Sequence, residues 1–180
     1  MSPDVTLDEL YAPFADHSDR PVAVTLPGEV MPEPYQTLLD HCHHMTVTVE
    51  EFYGDSVNVV VLDEVRTEIY YARKIILALA ESGRPVQFGV VRVELGALAE
   101  AVREEILSGR TPLGRVLIRH RVLREVRPVG FFRCHLTGAM AGWLGATPGA
   151  ETYGRLGVIT AGGAVAVRVA EVLAPVAAAE

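Results

Sequence analysis

Apolar and polar residues alternate most sharply between Val65 and Glu94. This alternation predicts a strand, a turn at Ser82-Gly83-Arg84-Pro85 and a returning strand from Val86 to Glu94. On the first strand Arg66, Glu68, Tyr70, Ala72 and Lys74 share a face expected to be wet, while Thr67, Ile69, Tyr71, Arg73, Ile75, Leu77 and Leu79 share a face expected to be core. Arg73 therefore falls on apolar parity, where a guanidinium has to be met by an anion or by a dense set of acceptors. Phe88, Val90 and Arg92 share one face of the returning strand, which makes Arg92 a second cation read as inward.

The same reading places the other elements. Residues 1–33, rich in Asp and Pro, read as a loosely attached arm with a short helix around Leu7 to Phe14. Residues 34–180 read as a single domain. Pro34 to His44 predicts a helix with Tyr35, Leu38, Leu39 and Cys42 as its apolar stripe. Met45 to Phe52 reads as extended, Tyr53-Gly54-Asp55 as a turn and Val57 to Leu62 as a β-branched strand. Leu95, Leu98, Val102 and Ile106 form the stripe of a helix over Leu95 to Ser108, which Gly109 stops. A strand is expected from Arg115 to Arg121 and a strand pair across Leu123 to Leu136. Thr137 to Gly154, rich in Gly and Ala, carries no assignment. Leu156 to Thr160 and Ala164 to Leu173 read as a hairpin around Ala161-Gly162-Gly163. On its second strand Val165, Val167, Val169, Glu171 and Leu173 share a face, so Glu171 is an acid on apolar parity.

Composition narrows the function. The chain has 180 residues, 49% of them hydrophobic, and a net charge of -7. These values suit a soluble domain with a substantial core, and they argue against a nucleic-acid surface or an anionic membrane as partner. No apolar run reaches spanning length and the amino terminus does not resemble a signal peptide, so a cytoplasmic location is expected. Cys42 and Cys134 read as two reduced thiols. His41-Cys42-His43-His44 lacks a further Cys/His pair at structural-zinc spacing, so no metal is expected there. Neither a Walker loop nor a dinucleotide fingerprint is present.

Two inward charges of opposite sign, Arg73 and Glu171, admit two arrangements. They pair with each other as a structural bridge, or they line a closed pocket for a small anionic, hydroxylated ligand, with Arg73 holding a carboxylate and Glu171 reaching a hydroxyl. Parity does not decide between them. Arg92 adds positive charge that a single acid leaves unspent.

At four places in order the sequence resembles the chorismate pyruvate-lyases and their relatives. These are Leu38-Leu39 followed by Met45-Thr46, Tyr70-Tyr71-Ala72-Arg73-Lys74-Ile75 followed by Ser82-Gly83-Arg84-Pro85, Gly109-Arg110-Thr111-Pro112-Leu113-Gly114-Arg115, and Val169-Ala170-Glu171-Val172-Leu173-Ala174-Pro175. The resemblance implies an α+β fold, an antiparallel sheet with helices packed on one side and an enclosed ligand pocket, without metal or organic cofactor. It implies that Arg73 grips a ring carboxylate, that Glu171 faces a ligand hydroxyl, and that Met45 and Leu113 contribute backbone contacts. It departs where a second arginine is expected just after Gly89: Val90 stands there, and Arg92 follows two residues later. The implied activity is elimination of pyruvate from chorismate to give 4-hydroxybenzoate, with Arg73 and Glu171 as the working pair and Arg92 attending the enolpyruvyl carboxylate. Two alternatives keep the pocket. One is an enzyme for another small carboxylate in a biosynthetic pathway. The other is a non-catalytic ligand-binding module, since the same fold resembles effector domains of transcription regulators.

Overall fold

The computed structural model describes residues 5–176. Seven strands form one antiparallel sheet: β1 (Ala23–Leu26), β2 (Val57–Arg66), β3 (Tyr70–Leu79), β4 (Pro85–Glu94), β5 (Arg124–His135), β6 (Glu151–Ala161) and β7 (Ala164–Leu173), in the order β1-β5-β6-β7-β4-β3-β2. Helices α2 (Tyr35–Leu39), α3 (Met45–Tyr53), α4 (Glu100–Leu107) and α5 (Leu113–Arg119) pack on one side of it. The short helices α1 (Leu7–Tyr11) and α6 (Gly138–Leu144) close the reverse side.

Local chemistry explains where the sequence reading missed. Met45 to Phe52 is helical, although Thr46, Val47, Thr48 and Val49 favour strands, because Met45 and Val49 lie one turn apart and bury together. Gly54 then ends the helix in the left-handed conformation with φ of 68°. The strand expected over Arg115 to Arg121 is α5, whose Leu113, Val116 and Leu117 follow helical spacing, with Val116 and Leu117 buried. The strand pair at Leu123 to Leu136 is one strand, β5, with an irregularity between Pro128 and Gly130 in place of a turn. The helix expected to begin at Leu95 begins at Glu100, after a single 3-10 turn at Leu95–Ala97. The helix expected over Pro34 to His44 stops at Leu39. Thr137 caps α6, its hydroxyl accepting a hydrogen bond from the Met140 N–H.

The strand predicted from Val65 breaks earlier than expected. Thr67 makes the bend between β2 and β3, its hydroxyl accepting from the Tyr70 N–H at 3.0 Å, and Ile69 at that bend is 71% exposed rather than core. From Tyr70 onward the predicted parity holds, and it arrays three rows across the sheet. Arg73 lies beside Val91 and Val169, Ile75 beside Gly89 and Glu171, and Leu77 beside Gln87 and Leu173. Arg155 on β6 extends the middle row next to Glu171.

The face expected to be wet is covered instead. Ala72 and Lys74 are buried, because the amino-terminal segment is no loose arm: Leu10, Tyr11 and Phe14 join the reverse-side core with Ile76, Phe88 and Met140. Lys74 donates to Asp19 Oδ1 at 2.6 Å and to the Asp16 carbonyl at 2.7 Å, and its ammonium lies 5.0 Å from the Tyr11 ring centroid and 4.9 Å from that of Phe14. The Tyr11 hydroxyl donates to Asp19 Oδ2 at 3.2 Å. Breaking one side of such a buried pair leaves a stranded charge, whereas replacing both sides by apolar groups does not. Lys74→Met is therefore expected to lower stability by about 3–5 kcal/mol, and the double variant Lys74→Met/Asp19→Leu to recover most of that loss, both read from urea unfolding midpoints.

Candidate functional site

The row residues of β3, β4 and β7 form the floor of a cavity roofed by the starts of α3 and α5. Its lining includes Arg73, Gln87, Gly89 and Glu171 from the sheet, His44, Met45 and Thr46 from the α3 start, and Pro112, Leu113 and Gly114 from the α5 start. Met45 and Leu113 are each the first residue of a helix, where backbone N–H groups lack an intrahelical acceptor. Neither helix has a side-chain cap at its amino end. Gly114 permits the two helix starts to meet, since a Cβ there would lie 2.9 Å from His44 Cβ and 3.0 Å from Thr46 Oγ1. The free interior is about 50 Å³, several times the roughly 10–15 Å³ needed by one water.

Arg73 is 1% exposed, and among the described residues no carboxylate forms a salt bridge with it. Its η1 nitrogen reaches the Ile106 carbonyl, in the last turn of α4, at a long 3.4 Å, its guanidinium carbon lies 5.8 Å from the Tyr71 ring centroid, and its Nε has no partner. Burial pushes its pKa down, while Tyr71, by charge and as a hydrogen-bond partner, and then the Glu64 carboxylate push the other way. Tyr71 spends its own hydroxyl on Glu64, at 2.6 Å.

Glu171 does not pair with Arg73. Its Oε2 accepts from Arg155 Nε at 2.5 Å, and Arg155, 2% exposed, spends its remaining donors on the carbonyls of Leu39, His41 and His43. Arg155 thus neutralises the acid and pins the loop leading into α3. Sequence reading missed it because Gly154-Arg155-Leu156 sits at the edge of the unassigned Gly/Ala-rich segment, although Leu156 to Thr160 was already read as strand and its parity extends back to Arg155.

Four of the five predicted site residues, Arg73, Glu171, Met45 and Leu113, line this cavity. Arg92 does not. Its sheet neighbours are Ala72 and Arg168, on the reverse face, where it donates to Glu94 at 3.0 Å and stacks over Tyr70 at 4.2 Å from the ring centroid. Shared parity with Phe88 and Val90 was read as pointing to the pocket, but those residues belong to the reverse-side core.

No family model and no curated protein matches the sequence. Among solved structures the chain is similar to PhnF from Mycobacterium smegmatis, with a TM-score of 0.55 and 10% identity over 72% of this chain and 62% of that one. It is also similar to the effector domain of PhnF from Mycobacterium smegmatis, with a TM-score of 0.53 and 10% identity over 73% of this chain and 88% of that domain. The fold is chorismate-lyase-like. The chain spans under two thirds of the length of PhnF, and at such identity the likeness concerns the fold alone. No helix among the described residues is long and apolar enough to cross a membrane.

His44 stands at the rim of the cavity, lining it on one side and a wider surface basin with Cys42, Arg124 and Glu125 on the other. Arg124 Nε donates to His44 Nε2 at 2.7 Å, which requires that nitrogen to be unprotonated. Burial, then Arg124, Arg155 and His43, lower its pKa from 6.5 to about 4. The unfolded chain takes up this proton near 6.5 and the folded chain near 4, so between those values the unfolded state binds more protons and acid erodes stability. The urea midpoint is expected to fall as pH drops through this window, and less steeply in His44→Gln.

Proposed function

We infer that this domain is a non-catalytic module that binds a small organic carboxylate in the cavity under α3 and α5. The observation that carries this reading is Arg73: a guanidinium 1% exposed, facing the cavity, with Nε unpartnered. An uncompensated buried charge costs several kcal/mol, and a ligand carboxylate gripped by the planar fork recovers that cost on binding. Amino-terminal N–H groups at Met45 and Thr46 add donors from a nine-residue helix aligned on the same space. Glu171, with Oε2 held by Arg155, offers its other oxygen to a ligand hydroxyl. The effector-domain neighbour supports a binding role.

A second reading, elimination of pyruvate from chorismate, is favoured by one observation: Arg73, Glu171, Met45 and Leu113 line a single cavity. In that reaction the ether bond to the enolpyruvyl group breaks, the hydrogen beside the ring hydroxyl leaves, and aromatisation drives the step. Arg73 and Glu171 would orient the ring in a water-poor site. Charge weighs against it. Chorismate brings two carboxylates, whereas Arg155 is committed to Glu171 and Arg92 lies on the other face, so Arg73 is the one uncommitted cation lining the cavity among the described residues.

Calorimetry with 4-hydroxybenzoate, run beside an assay of pyruvate release from chorismate, separates the readings. Binding without turnover is the expected result; pyruvate released in proportion to enzyme establishes the lyase, and no binding of any carboxylate refutes both. Arg73→Met is expected to weaken 4-hydroxybenzoate binding by about 2–5 kcal/mol while raising the urea midpoint of the ligand-free protein, because it removes a stranded charge.

A further inference from the structure

Among the described residues, two buried side-chain polar atoms lack any partner, and both belong to residues of this cavity: Arg73 Nε, a donor, and Gln87 Oε1, an acceptor. Buried polar atoms are satisfied in native proteins with few exceptions, and each exception calls for a cause. Two orphans of opposite kind in one small cavity have a common cause if a ligand completes both.

We propose that Gln87 is a specificity-determining residue, reading a second hydrogen-bond donor on a carboxylate-bearing ligand. The claim rests on the carboxylate-binding reading above and adds to it the chemistry of the ligand's far end. Gln87 is 2% exposed on β4, a strand interior where an amide is out of place among Val86, Phe88 and Val90. Register fixes its place. Arg73, Glu171 and Gln87 occupy three successive rows on one face of the sheet, spaced about 7 Å apart along the strands. The cation therefore lies at one end, the acid in the middle and the amide oxygen at the other end. Gly89, between Gln87 and Val91, keeps the floor open at the middle row: a Cβ there would crowd Ile75 Cδ1 at 3.2 Å. The complementary ligand carries an anion at one end, then a hydroxyl for Glu171, then a further hydroxyl or N–H for Gln87. A ligand lacking that last donor leaves the amide oxygen orphaned, as it is in the ligand-free protein, and so binds more weakly than one that supplies it.

The test compares 4-hydroxybenzoate with its 3-(2-hydroxyethyl) and 3-(3-hydroxypropyl) derivatives, whose added donor reaches past the ring hydroxyl to two extents, on the wild-type chain and on Gln87→Leu. In the wild type at least one derivative is expected to bind more tightly than the parent by about tenfold or more, the worth of a buried hydrogen bond to an otherwise orphaned group. In Gln87→Leu that ratio falls to near one. The ligand-free variant is also expected to unfold at a higher urea concentration, since it loses an unsatisfied acceptor. A preference that survives Gln87→Leu, the absence of any preference in the wild type, or a lowered urea midpoint overturns the assignment. Failure of the underlying reading shows differently: 4-hydroxybenzoate itself then does not bind, or binds Arg73→Met as well as the wild type.

Discussion

The site depends on a guanidinium held inside the protein with no carboxylate of the described residues in salt-bridge contact. Arg73 is closed off from solvent at 1% exposure, with the last turn of α4 lying over it. Deprotonation offers no escape, since a guanidine keeps its proton under all ordinary conditions even when burial lowers its pKa. The remaining compensation is partial: a long contact to the Ile106 carbonyl and the face of Tyr71. The folded state without ligand therefore carries a deficit localised to one side chain, and the surrounding core of Ile75, Val91, Ile106 and Val169 bears it.

The next residue along the strand shows the contrast. Lys74 points to the reverse face, is as deeply buried, and has a dedicated carboxylate, a carbonyl and two aromatic faces. Arg155, on the cavity side, is likewise saturated by Glu171 and three carbonyls. Among the described residues three buried cations thus share one sheet, and two of them have a carboxylate partner. The amino-terminal segment that provides Asp19 is what makes the difference on the reverse face, so that segment is a structural part of the domain and not an appendage.

Much of this was legible in the sequence. Strict alternation in β3 and β7 placed Arg73 and Glu171 on the inner face, because parity survives any error in where a strand begins. What was not legible arose from tertiary cover. Whether Lys74 is wet depends on Tyr11, Phe14 and Asp19, more than fifty residues away in sequence, and no local pattern reports it. Helices α3 and α5 were missed because their β-branched runs favour strands in isolation, and packing against the sheet overrode that preference. Arg92 was misplaced for a subtler reason. This sheet is buried on both faces at β4, so apolar neighbours no longer mark which face looks into the cavity.

Charge and volume together then constrain what fills the cavity. Of the charged side chains that line it, Glu171 is already matched by Arg155, which leaves the positive charge of Arg73 for a guest to neutralise. A monoanion balances the site; a dianion overshoots it and buries an unmatched carboxylate, with the same several-kcal/mol penalty that Arg73 now bears. With about 50 Å³ free, the cavity as it stands holds a few waters, and a larger guest has to displace part of the wall. His44, just before α3, belongs to that wall, and Arg155 fastens the chain leading to it through the carbonyls of His41 and His43. Because Arg155 fastens it with the same guanidinium that holds Glu171, a ligand hydroxyl drawing on that carboxylate acts on the group that keeps this wall in place.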